Sequence, residues 1–143
     1  MRYLDRLQPL GLLVLRLALG AIMTVHGYNK VFRDLHHFVG WVSSMGIPSW
    51  LGYVAAFTEL LGGLLILVGF FTRAAAFLIF VDLVVAMWKV DFHGGVSAVL
   101  GHTEKETSLV LASVAFALIV LGGGPIALDH VLRGGGSGAS KRS

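Results

Sequence analysis

The sequence predicts an all-α integral membrane protein, a four-helix bundle with a short interfacial helix in the first loop. Composition is the first reason: 56% of the 143 residues are hydrophobic, 13% are charged, and the mean hydropathy is +0.82. A soluble domain carries about 25% charged residues. The second reason is that the chain contains four apolar runs, each close to the roughly 20 residues that cross a bilayer. Four spans leave no room for a large catalytic domain outside the membrane.

The first apolar run extends from Leu7 to Val25. We interpret it as a retained transmembrane helix and not as a cleaved signal peptide, because Arg16 lies within it and an arginine inside the membrane must be buried against neighbouring helices. The whole of residues 1–133 is expected to form one four-span membrane domain. Residues 134–143 are rich in glycine, serine and basic residues, which predicts a flexible C-terminal tail.

A mixed polar and aromatic segment, residues 26–50, follows the first run. Its apolar residues recur at helical spacing, which is typical of a short helix lying in the membrane interface. These residues are Leu35, Phe38, Val42 and Met45, with Trp41 nearby.

The second run, Leu51 to Phe71, and the third, Ala74 to Val90, are separated only by Thr72-Arg73. So short a connection makes the two helices antiparallel neighbours. A polar loop, Asp91 to Lys105, follows the third run.

The pattern Thr103-x-x-Glu106 predicts a capping box that opens the fourth helix, which continues to Leu121. Residues 122–125, Gly-Gly-Gly-Pro, end that helix, and Ile126 to Arg133 is expected to lie along the interface. Four spans place both termini on one side. That side carries six basic residues against four on the other, which favours cytoplasmic termini.

Three ionisable residues lie inside the apolar runs, Arg16, Glu59 and Asp82, each about nine residues from the predicted start of its helix. A charge in the membrane centre costs at least about 2.5 kcal/mol, which favours pairing. A stripe of small residues on the second run directs Glu59 toward the bundle interior, where we expect Arg16 as its bidentate partner. Asp82 then competes for the same arginine, so one acid is expected to hold a proton at neutral pH.

This cluster has two interpretations. It is either a buried pair that fixes the helix register or a proton-accepting or ligand-binding site in which Glu59 and Asp82 are the catalytic groups. The second acid favours the latter, since a register pair needs only one.

A second group of candidate ligand-binding residues lies at the far end of the first and third runs. His26 and Lys30 are four residues apart and share a helix face, and His93 follows the third run. Imidazoles there suit a quinone carbonyl, a haem propionate or a metal, but the spacing of metal-binding motifs is absent, and we expect no metal.

The basic residues form no stripe, which excludes nucleic acid. The chain has no cysteine, so a partner or a cofactor must hold the reactive atom of any sulfur or redox chemistry.

Taken in order, several segments resemble the DoxX family of small four-helix bacterial membrane proteins. They are Leu15–Gly20, His26–Lys30, Glu59–Gly69, Gly69–Arg73 and Gly124–Asp129. The resemblance implies a four-helix bundle in the bacterial inner membrane. It also implies a redox role, since named members are associated with the membrane subunit of thiosulfate:quinone oxidoreductase and others with oxidoreductase complexes that handle thiol stress.

The expected function is therefore a membrane subunit of a quinone-linked oxidoreductase complex, in contact with lipid and with protein partners. If it is an enzyme, it is at most the quinone-interacting subunit. The cofactor would be a quinone, with none bound covalently. Two alternatives remain open: a non-catalytic accessory or scaffold subunit of a larger membrane complex, and a small-solute or proton transporter that uses Arg16, Glu59 and Asp82.

Overall fold

The computed structural model describes residues 2–91 and 103–134, and every regular element within these ranges is a helix. There are six in the described part of the chain. They are α1 (Arg2–Phe32), α2 (Leu35–Ser44), α3 (Ser49–Val68), α4 (Thr72–Asp91), α5 (Thr103–Leu121) and α6 (Leu128–Gly134).

The predicted helices are all present, and the largest difference is in α1. Its 31 residues extend the predicted first run at both ends and correspond to about 46 Å of helix, longer than a hydrocarbon core of about 30 Å. The predicted interfacial helix is α2, which buries Val39 and Val42. Most of the expected 91–105 loop and nearly all of the expected tail lie outside the described residues.

The helices pack as two close pairs, α1 with α3 and α4 with α5, which are joined through contacts between α3 and α4. The shared core is built from fully buried aliphatic side chains contributed by all four of these helices. They include Leu19, Met23, Ile66, Ile79 and Leu118. The short helix α2 packs mainly on α3.

Glycines allow α1 and α3 to approach until their backbones touch. A Cβ on Gly27 would overlap the backbone of Leu60, and a Cβ on Gly63 would lie 2.6 Å from the backbone nitrogen of Thr24. Such contacts are possible only without side chains, as at small-residue helix interfaces in membranes. The predicted small-residue stripe lies at helix contacts, with Gly63 against α1, Gly62 against α4 and Gly52 against α2. Glu59, within this stripe, is buried.

Two helices, α1 and α3, are long and apolar enough to cross a membrane. In the most apolar 18-residue stretch of each helix, only 28% (α1) and 33% (α3) of the stretch is buried. Most of each helix surface therefore faces outward, unlike that of a core helix in a soluble protein. That α4 and α5 also cross, which would complete the four-span bundle, remains a prediction.

Candidate functional site

Lys30 and Glu59 form an ion pair in the interior of the structure. The Nζ of Lys30 lies 2.6 Å from Oε1 of Glu59, and the side chains are 28% and 6% exposed, respectively. The same Nζ lies 4.4 Å from the centre of the Phe38 ring on α2, within the range of a cation–π interaction. The pair forms because Gly27 brings α1 against Leu60 of α3. Lys30 lies one helical turn after Gly27 and is therefore level with Glu59.

Asp82 brings a second carboxyl group to this ion pair from α4. It lines the same cavity as Glu59 and interacts electrostatically with both Glu59 and Lys30. The second oxygen of Glu59, Oε2, is buried and accepts no hydrogen bond from the described residues. Two acids therefore share one base, and the cluster becomes neutral when one acid carries a proton.

The cluster of Lys30, Glu59 and Asp82 lies at a cavity of about 430 Å³ bounded by α2, α3, α4 and the end of α1. Lys89 and Thr58 are the other polar residues that line it. The rest of the lining is apolar or aromatic and includes Phe38, Trp41, Val54, Ala55, Phe77, Val81 and Val85. An apolar cavity of this size with a few convergent polar groups is the usual form of a small-molecule site.

The structure brings together three of the six predicted site residues, Lys30, Glu59 and Asp82. His26 is exposed and does not line the cavity, although it is only one helical turn from Lys30. His93 lies outside the described residues. Across the part of the chain that is described, no three histidine, aspartate or glutamate side chains gather as metal ligands would.

The predicted pairing of Arg16 with Glu59 is wrong. Arg16 is buried, but its Nη1 donates hydrogen bonds to the carbonyl oxygens of Gly123, at 3.0 Å, and Ile126, at 3.1 Å. The physical reason is the register of two antiparallel helices. Arg16 lies level with Gly69, where an added Cβ would be 3.0 Å from Nη1. Gly69 is ten residues beyond Glu59, or about 15 Å along α3.

The sequence model of the DoxX family matches residues 11–94. The chain belongs to the DoxX family. A Bacillus subtilis protein named "Putative oxidoreductase CatD" is 34% identical over 109 residues, which cover 76% of this chain and 78% of that one. An uncharacterized protein of Haemophilus influenzae is 28% identical over 131 residues, 91% of this chain and 96% of its own. No solved structure matches.

DoxX membership and the apolar helices make this a membrane protein, and one of its relatives bears the name "Putative oxidoreductase CatD". The matched segment contains all three residues of the charged cluster, Lys30, Glu59 and Asp82, as well as Arg16. The residues that hold the opposite end together, around Asp129, lie beyond it.

Asp129 joins the α3–α4 turn to the start of α6 in this DoxX protein. Its Oδ1 accepts the backbone N–H of Phe71 at 2.7 Å and its Oδ2 that of Thr72 at 2.9 Å. Its own N–H donates to the carbonyl of Gly69 at 3.0 Å. Burial raises the pKa of Asp129, but the backbone donors of Thr72 and Phe71, with Arg133 nearby, outweigh it and hold the pKa below its ordinary value.

We expect Asp129→Asn to lower the free energy of unfolding by about 1 kcal/mol at pH 7, comparable to the loss of a helix cap. Because the folded pKa is lowered, the carboxylate stabilises the fold fully above the unfolded pKa of about 3.9, and the effect is lost as the pH falls through the folded pKa. Unfolding in detergent at pH 7 and pH 3 measures this. The difference between variant and wild type should shrink at pH 3, whereas Asp5→Asn, at an exposed position, should have little effect at either pH. A pH-independent difference would contradict this assignment.

Sequence reasoning missed the walls of the cavity. Phe38 and Trp41, which were predicted to lie in the membrane interface, line the cavity, and so does Lys89. The available signal was that Phe38 and Trp41 share one face of α2 with the buried Val42. That face must pack on another element, and the last turn of α1, which carries Lys30, directly precedes α2 in the chain.

Proposed function

We propose that this DoxX protein is the quinone-binding membrane subunit of an oxidoreductase complex, and that the cavity between α2, α3 and α4 holds the quinone ring. The observation that carries the proposal is a charged cluster of one lysine and two acids at the wall of an otherwise apolar cavity. The named oxidoreductase among the relatives supports it.

The residues present fit a quinone. A cavity of about 430 Å³ lies within the range of about 300–1,000 Å³ of small-molecule sites. The aromatic side chains of Phe38, Trp41 and Phe77 offer flat apolar surfaces to a ring. The buried Oε2 of Glu59, which receives no hydrogen bond from the described residues, can accept one from a hydroxyl of the reduced quinol, and buried polar atoms of this kind are rare without a role.

A bound quinone would supply a couple that takes up two electrons and two protons. Lys30 would donate a hydrogen bond from its ammonium group to one ring carbonyl. The acid pair, Glu59 and Asp82, would hold one of the two protons, because two adjacent carboxylates opposite one ammonium retain a proton between them. The Lys30 ammonium would supply the other proton to the carbonyl that it contacts. The chain has no cysteine, so the electrons would come from a redox partner subunit.

The proposal places α4 and α5 across the membrane with α1 and α3, and both termini in the cytoplasm. The outward faces of α4 and α5 support this, since they expose large apolar side chains. These include Val84, Trp88, Val110, Phe116 and Val120. Lys30 and Lys89 lie in the last turns of α1 and α4, so the cavity would lie nearer the membrane surface opposite the termini.

The test is binding of ubiquinone-1, a short-chain quinone, to the purified protein in detergent, with bound quinone counted after equilibrium dialysis. We expect saturable binding by the wild-type protein. Lys30→Met should weaken binding about tenfold or more, because a hydrogen bond from a charged donor contributes about 1.5 kcal/mol or more. The matched control is His26→Gln, one turn away on the same helix but outside the cavity, which should bind as the wild type does.

Absence of binding by the folded wild-type protein would overturn the proposal, as would unchanged affinity in Lys30→Met. Circular dichroism melting of each variant separates loss of the site from loss of the fold. A wild-type protein that binds no quinone but retains a reproducible partner subunit through mild purification would support the accessory role instead.

A further inference from the structure

A second cavity lies at the opposite end of the structure from the charged cluster. It has a volume of about 700 Å³ and lies between the α3–α4 turn, the α5–α6 loop and α6. Two segments, residues 70–74 and 121–125, form most of its lining, and Asp129, His130, Leu132 and Arg133 complete it. Nothing in the quinone proposal uses this cavity.

The charges around this second cavity are predominantly positive. Arg73 and Arg133 are both exposed, and Arg73 donates from Nη2 to the Val120 carbonyl at a long 3.4 Å. A guanidinium carries five N–H donors, so most donors of Arg73 remain for a ligand. The one acid, Asp129, directs both of its oxygens to the backbone N–H groups of Phe71 and Thr72. The two arginines therefore exceed the acid by one charge, before any contribution from His130.

Exposed apolar side chains lie directly beside these arginines. Phe71 and Leu132 line the cavity and are 60% and 58% exposed, and Val131 on α6 is 65% exposed. This arrangement, cationic donors next to an apolar surface at the end of membrane-crossing helices, matches an amphiphile with an anionic head. A free inorganic anion has no apolar group that could pack against these side chains.

We propose that this second cavity binds an anionic phospholipid, with its phosphate on Arg73 and Arg133 and an acyl chain along Phe71 and Leu132. Guanidinium groups bind phosphate oxygens in a bidentate manner, and basic pockets at the ends of transmembrane helices are known to hold lipid headgroups. The lipid would bridge the α3–α4 turn and α6, two segments that Asp129 already connects.

The experiment is native mass spectrometry of the full chain in detergent, titrated separately with phosphatidylglycerol, phosphatidylcholine and inorganic phosphate. We expect phosphatidylglycerol to bind at least about tenfold more tightly than phosphatidylcholine. The Arg73→Gln/Arg133→Gln variant should lose about tenfold or more of that affinity. The control with the same loss of charge is Arg2→Gln/Arg6→Gln, at exposed positions in the first turns of α1, which should keep wild-type affinity.

A variant that keeps the charge guards against a folding defect: Arg73→Lys/Arg133→Lys should retain most of the preference for phosphatidylglycerol. Equal binding of the two lipids would overturn the proposal. So would equal losses in the Arg73/Arg133 and Arg2/Arg6 variants, which would indicate attraction by net charge alone. Displacement of phosphatidylglycerol by millimolar phosphate would identify a free-anion site, and this too would overturn it.

Discussion

Gly27→Ala should destabilise the fold by about 2 kcal/mol or more. An added Cβ would overlap the backbone of Leu60, which cannot move aside as a side chain would, so α1 and α3 must separate along their main contact. Inserting a methyl group into a packed interface costs about 1–3 kcal/mol. Lys30 lies one turn further along α1, so the shift should also lengthen its contact with Glu59. Unfolding in mixed detergent micelles, followed by circular dichroism, measures the loss.

Gly11→Ala is the matched control for this substitution. Gly11 lies on the same helix, but a Cβ there would have no atom within 4 Å. Since alanine favours a helix over glycine by about 1 kcal/mol, Gly11→Ala should leave stability unchanged or slightly raise it. Equal behaviour of the two variants would mean that α1 and α3 are not in backbone contact at Gly27.

Arg16→Met should lower the free energy of unfolding by about 3 kcal/mol. The substitution keeps much of the side-chain volume but removes both hydrogen bonds to the Gly123 and Ile126 carbonyls, and a hydrogen bond from a charged donor contributes about 1.5–3 kcal/mol. The loop between α5 and α6 should then detach from α1. Limited proteolysis of that loop, together with the unfolding measurement, reports both effects.

Arg6→Met provides the comparison, because Arg6 is an exposed arginine on the same helix and should be nearly neutral. Quinone binding gives a further distinction. Arg16 lies about 15 Å from the level of Glu59, so Arg16→Met should weaken folding while the folded fraction binds ubiquinone-1 normally. A selective loss of quinone binding in Arg16→Met would mean that Arg16 belongs to the charged site, which would contradict its contacts with Gly123 and Ile126.

The helices were predictable because their signals are local. Apolar runs of membrane-spanning length define α1 and α3, and the spacing of Leu35, Phe38 and Val42 defines α2. The inward direction of Glu59 also followed from sequence, since the small residues around it can only lie where helices approach closely. The ends of α1 were less predictable. Its first and last turns are polar and extend beyond the apolar run, because backbone hydrogen bonding can continue a helix through polar residues.

The partner of Glu59 could not be predicted from hydropathy. Hydropathy indicates how deep a residue lies in the membrane, but not which residues of two packed helices lie side by side. Counting from the start of the apolar run placed Arg16 level with Glu59, but the crossing point is set by Gly27 against Leu60. A helix that extends past its apolar run on both sides shifts every such estimate. Lys30, near the end of α1, was therefore grouped with His26 and His93, whereas the structure pairs it with Glu59.

The backbone contact between α1 and α3 makes the walls of the cavity mechanically unequal. Atoms already at van der Waals distance cannot be compressed, so the wall that bears Glu59 and Lys30 is stiff. The opposite walls consist of α2, held by short connections at its two ends, and of side chains on α4. Any change in the width of the cavity must therefore come from α2 or α4, while Lys30 and Glu59 keep their mutual spacing. Larger ring substituents would be accommodated on the aromatic side of the site and excluded on the charged side.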